Sequence, residues 1–195
     1  MLLMMGCVWW HKTNAQPQAG LEQYYSVHGN TMSFTPMLWY QSKRGWYAEA
    51  RYNFEAANSV SLYAGKTFEK QSKISYSLST IGGIVMGDFK GGSIAVNADA
   101  GYKRISVSLQ SQYTFSAEDR SLNYIYIWSD ISLRFLHSVS AGFSLQQTNG
   151  CNTNVISEKG IFIKAEPGKW VFPLYIFNPL SNERYMVLGI NYTWQ

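Results

Sequence analysis

From about residue 24 to the end of the chain, apolar and polar positions alternate with a period of two in segment after segment. In 46–54 one row is Trp46, Ala48, Ala50, Tyr52 and Phe54, and the other is Tyr47, Glu49, Arg51 and Asn53. In 93–102, Ile94, Val96, Ala98, Ala100 and Tyr102 oppose Ala95, Asn97 and Asp99. In 105–115, Ile105, Val107, Leu109, Tyr113 and Phe115 oppose Ser106, Ser108, Gln110, Gln112 and Thr114. Segments 138–146 and 185–194 repeat the pattern, the last with Met186, Leu188, Ile190, Tyr192 and Trp194 on one side. Strict alternation sends successive side chains to opposite faces, so each segment predicts a strand with two unlike faces. Less regular candidates are 32–41, 60–69, 74–80, 124–135, 160–165 and 170–177.

Turn chemistry separates these segments: Lys43-Arg44-Gly45, Ala57-Asn58, Gly91-Gly92, Pro167-Gly168 and Asn178-Pro179. Pro36 and Pro173 fall inside candidate strands and predict a bulge or a locally broken pair, because proline cannot donate to the ladder. Gly82-Gly83 predicts a bend. The polar stretch 16–23 reads as a lead-in, and 147–159, rich in Asn, Thr and Gly, reads as the one real loop. No segment has a helical period. About eleven strands of roughly 9–11 residues result, each long enough to cross a bilayer when tilted. Closed single-chain barrels favour even numbers, so the count is ten, or twelve if 22–28 supplies a first strand; twelve is favoured.

A soluble sandwich would alternate as well, and the identity of the second face decides against it. A solvated sheet face normally carries many Lys, Glu and Asp. Here it is Ser, Thr, Asn, Gln and Gly with scattered charges of both signs. The expectation is an all-β, closed, antiparallel up-and-down transmembrane barrel. Its lumen is expected to hold Glu49, Arg51, Asn53, Asn97, Asp99, Gln110, Gln112, Asp130, Arg134 and Lys164. In that narrow interior these charges could neutralise one another as a plug or line a polar channel. Aromatics near segment ends (Trp39-Tyr40, Trp46-Tyr47, Phe68, Tyr113, Phe115, Trp170, Tyr192 and Trp194) suggest two interfacial girdles.

Composition agrees. Of the 195 residues, 16% are aromatic and only 14% charged, against ~25% charged in soluble domains. The net charge of +4 is not gathered on one face, which argues against a nucleic-acid partner. Residues 1–15 read as a cleavable signal, with Thr13 and Ala15 as small residues before the cut and 16–195 as the mature barrel. Cys7 as a lipidated terminus, or a buried segment of a soluble protein, are the competing readings. Cys151 would then be the one mature cysteine, which leaves no intrachain disulfide, and no metal-ligand spacing or cofactor motif is present.

With Tyr192-Thr193-Trp194-Gln195 at its end, the chain resembles the small outer-membrane β-barrel proteins of Gram-negative bacteria. That resemblance implies an outer-membrane location and contact with outer-membrane lipid. It also implies recognition of Met186, Leu188, Ile190, Tyr192 and Trp194 by the barrel-assembly machinery, and it brings no catalytic residues. The expected function is an integral barrel with a structural or accessory role or minor passive permeability, and no enzymatic activity. Two alternatives remain open: a lipid-modifying enzyme of the same architecture and a secreted soluble β-sandwich. His28 and His137 are the candidate bases for the former. His137 adjoins Ser138, but neighbouring strand residues point to opposite faces, so the two cannot form a nucleophile–base pair.

Overall fold

The computed structural model describes residues 17–151 and 154–194. The signal reading of residues 1–15, with Cys7, lies outside the described residues, as does Gln195. Twelve strands follow one another: β1 (Gln18–His28), β2 (Thr31–Gln41), β3 (Trp46–Tyr52), β4 (Ser59–Lys70), β5 (Ser75–Gly87), β6 (Gly91–Tyr102), β7 (Ile105–Ser116), β8 (Tyr124–Leu136), β9 (Val139–Gly150), β10 (Ile156–Ala165), β11 (Trp170–Phe177) and β12 (Tyr185–Trp194). Each pairs antiparallel with the next, and β1 pairs with β12 from Ala19↔Trp194 to Val27↔Met186, closing the sheet. Closure satisfies the strand edges, which a bilayer interior requires.

Alternation does what the sequence demanded. Large apolar side chains point away from the barrel all round it, with Phe143 69% and Ile94 59% exposed. Ser59, Ser61, Ser93, Thr114 and Gln112 are buried inside. Rows of Ile, Leu, Val and Phe turned outward on a closed sheet meet acyl chains. The soluble-sandwich alternative, which needs those rows packed against each other, is excluded, and the barrel is a membrane-spanning one.

Several local expectations change. The polar stretch is strand from Gln18 onward, because its Glu22 and Tyr24 face inward while Leu21 and Tyr25 take the outer face. The supposed long loop shrinks to 151–155, since β9 runs to Gly150 and β10 begins at Ile156. Pairing runs unbroken through Gly82 and Gly83 on both sides of β5. Instead of a bend, Gly83 gives room to its cross-strand partner Tyr63, whose ring would stand 2.5 Å from an added Cβ. Pro173 does interrupt the β11–β12 ladder, where pairing skips from Val171↔Asn191 to Leu174↔Leu188.

The two rims differ. One bears the connections 42–45, 71–74, 103–104, 137–138 and 166–169. The other bears 29–30, 53–58, 88–90, 117–123, 151–155 and 178–184, with a 3-10 turn at Arg120–Leu122 capped by Asp119. They are called the short-turn rim and the loop rim below.

Candidate functional site: the lumen

Inward residues on twelve strands converge on one space, and its two halves are built differently. Toward the loop rim, side chains fill it. Arg51 is at the centre, 2% exposed, with its guanidinium bonded to Glu49 and placed 3.3 Å from Glu55. Arg51 Nη1 also donates across the lumen to Gln112 Oε1 on β7 at 2.7 Å. Gln112 Nε2 donates to Glu55 at 3.2 Å and to Thr114 at 3.0 Å. Tyr63 OH donates to Glu55 at 2.7 Å, Ser61 Oγ donates to the same carboxylate, and Tyr124 OH reaches the Glu55 carbonyl at 3.1 Å. The guanidinium lies between the rings of Phe54, at 4.3 Å, and Tyr63, at 4.5 Å. A cation buried this deeply persists only because two carboxylates and an amide satisfy it. Phe54 and Glu55 come from the β3–β4 connection, which therefore folds into the barrel.

Beside this plug, aromatic rings pack the same end. Phe177 is fully buried and stacks on Tyr185 at 5.0 Å, and Tyr185 stacks on His28 at 3.9 Å. At mid-height Tyr24 of β1 and Trp128 of β8 approach to 6.2 Å across the interior, and Trp128 meets Tyr175 edge-on at 5.2 Å.

From mid-barrel to the short-turn rim the lumen is a cavity of about 480 Å³. Five carboxylates line it, Glu22, Glu69, Asp99, Asp130 and Glu166, against one ammonium, Lys164. Glu22 is held by neutral donors, Tyr24 OH at 2.9 Å and Trp39 Nε1 at 3.0 Å. Asp130 likewise accepts from Trp128 Nε1 at 2.9 Å, Ser144 Oγ at 2.6 Å and Tyr175 OH at 3.0 Å. Glu166 is the carboxylate that faces cations, Arg134 and Lys164, each at 3.3 Å. Trp39 has this position because Gly20, its partner on β1, has no side chain; a Cβ there would stand 2.4 Å from the indole.

The structure thus gathers Glu49, Arg51 and Gln112 into the plug. It sets Asn97, Asp99, Gln110, Asp130 and Lys164 on the cavity wall, with Arg134 beside Glu166. Asn53 does not join them. It sits beyond the end of β3 with a φ of 56° and uses its amide to accept from Asn58 N and to donate to Phe34 O. Asparagine tolerates this left-handed turn conformation, so the continued alternation was a local coincidence. Sequence reasoning missed Glu22, Glu55, Glu69, Glu158 and Glu166. Glu22 lay in a stretch read as non-strand, and Glu55 lies in a connection where parity carries no information. Trp39 and Tyr47, assigned to the girdles, face the lumen instead, stacked at 6.3 Å. His28 stacks on Tyr185 and His137 is exposed in the β8–β9 turn.

No family model matches the chain, and no curated protein matches it in sequence. Solved structures do resemble it. The KdgM porin superposes with a TM-score of 0.67 at 13% identity, covering 90% of this chain and 99% of that one. A KdgM porin in complex with disordered oligogalacturonate gives 0.68 at 13% identity with the same coverage. The NanC porin gives 0.61 at 9% identity, again covering 90% and 99%. At such identities the likeness is one of fold, and the fold is the porin-like barrel of the Gram-negative outer membrane.

Proposed function

We propose that the protein is a narrow, low-conductance outer-membrane pore that admits small cations and uncharged polar solutes in preference to anions. The observation that carries this is the sign of the cavity wall, five carboxylates against one ammonium in about 480 Å³. Enclosed walls of one sign concentrate counter-ions and exclude co-ions. Glu22 and Asp130 are held by hydroxyl and indole donors, and among the described residues neither forms a direct ion pair. Oligogalacturonate, named with one KdgM structure, carries a carboxylate on each sugar, and this wall would repel such a polyanion. The filled loop half accounts for low conductance: ions must pass Arg51 and Glu55, or wait for the β3–β4 connection to move.

Planar-bilayer recording under a KCl gradient tests the reading. The expected result is a small conductance whose reversal potential favours K⁺ severalfold over Cl⁻. Anion preference would overturn it. Complete silence, persisting after Glu55 and Arg51 are both truncated to Ala, would favour a second reading supported by the plug itself, in which the barrel is sealed and its role structural.

A further inference from the structure

Charge on the outside of the barrel is as uneven as charge within. At the short-turn rim, Lys43 and Arg44 occupy the β2–β3 connection, Lys70 ends β4 and Lys73 lies in the β4–β5 connection, Lys103 and Arg104 form the β6–β7 turn, and Lys169 precedes β11. All seven are exposed, and among the described residues none has a carboxylate partner. The acids at this end, Glu69 and Glu166, both turn into the cavity. The loop rim is balanced: Lys90, Arg120, Lys159 and Arg184 stand with Asp88, Glu118, Asp119 and Glu183, and Lys90 pairs with Glu118 at 3.0 Å.

Below the cationic ring, on the membrane-facing wall, comes a band of interfacial aromatics. Lys66 Nζ lies 4.9 Å from the ring centre of Trp46, and Lys103 Nζ lies 5.2 Å from that of Tyr102. Trp46 is 63% exposed and Trp170 44%. Indole and phenol rings settle at the headgroup level, and lysine stems extend along them to bring ammonium groups to the phosphates. In outer-membrane barrels the short turns are periplasmic, so this rim meets the inner leaflet.

We infer that the short-turn rim is a binding surface for anionic phospholipid headgroups, a cationic collar above an aromatic band that fixes which leaflet it occupies. Each Lys or Arg held near an anionic surface adds to the attraction, and salt screens it. The inference is independent of any pore, since it concerns the outer wall only.

Native mass spectrometry of the folded chain in detergent with equimolar phosphatidylglycerol and phosphatidylcholine tests it. Phosphatidylglycerol adducts are expected to exceed phosphatidylcholine adducts severalfold, and the excess should collapse in high salt. K43Q/R44Q/K103Q/R104Q should bring the ratio close to one, while K90Q/R120Q/K159Q/R184Q at the other rim should leave it unchanged. Should the first variant not fold by heat-modifiable migration, K43Q/R44Q and K103Q/R104Q separately should each lose part of the preference. Equal adducts on the wild type, a preference that survives the short-turn variants, or one lost only at the loop rim would each overturn the inference. So would tighter retention of lipopolysaccharide than of phosphatidylglycerol at the short-turn rim, because its phosphates lie in the opposite leaflet.

Discussion

Arg51→Met removes the one cation of the plug and keeps most of its volume. Glu49 and Glu55 would then be left facing each other with side-chain exposures of 2% and 0%, and Gln112 Oε1 would lose its donor. Deleting one partner of a buried ion pair costs about 3–5 kcal/mol, because the remaining charge is neither paired nor hydrated. Here two carboxylates are stranded, so the loss should lie at the upper end. Replacing a whole buried ionic group by neutral side chains of similar volume is close to neutral. Arg51→Met combined with Glu49→Gln and Glu55→Gln should therefore recover most of the loss, to within about 1.5 kcal/mol of wild type. Urea titration of the barrel in detergent, read by heat-modifiable migration and tryptophan fluorescence, measures both. The single variant should also conduct better, as Glu55 withdraws with its connection. If the single variant matches wild type in stability, or the triple variant is as weak as the single one, Arg51 is not what holds the loop half together.

Other consequences can be checked separately. Glu22→Gln with Asp130→Asn halves the unpaired carboxylates at mid-cavity and should move the reversal potential toward non-selectivity with little loss of stability. Gly83→Leu should cost about 1–3 kcal/mol by overpacking, since its Cβ would meet the Leu62 carbonyl at 2.3 Å as well as the Tyr63 ring; urea titration reads the loss. Gly20→Leu should displace Trp39 from Glu22, seen as a shift in tryptophan emission. Asp119, outside the spanning strands, accepts from the hydroxyl and backbone N–H of Ser121, which holds its carboxyl below the usual range. A depressed folded pKa contributes order above the unfolded value and loses it as pH falls through the folded one. Proteolysis at 117–123 should therefore rise on acidification, and Asp119→Ala should show the same susceptibility at neutral pH.

The closed barrel was legible because a period of two survives in almost every strand and because its polar rows contain hydroxyls and amides where a solvated sheet would have charges. Strand number came within reach only through β1, whose Glu22 and Tyr24 make it look like a polar lead-in until the lumen is known to be polar. Parity also told which charges face inward on β3, β6 and β8. It could not tell how they group, because grouping depends on height along the barrel and on which walls oppose. Arg51 meets Gln112, 61 positions away, and no local pattern encodes that. Nor could parity reach Glu55, which enters the lumen from a connection. The adjacent aromatics at strand ends were half misread for the same reason: in Trp39-Tyr40 and Trp46-Tyr47, one ring of each pair must point inside.

The pairing of β1 with β12 joins residues as far apart as Ala19 and Trp194. Until the last strand arrives, the first has a raw flank of amide and carbonyl groups, and so does every partial sheet between them. Long-range pairing of this kind is slow to form and prone to mispair. The molecule therefore has no comfortable half-built state: its zipper meets tooth to tooth only at the end of the job.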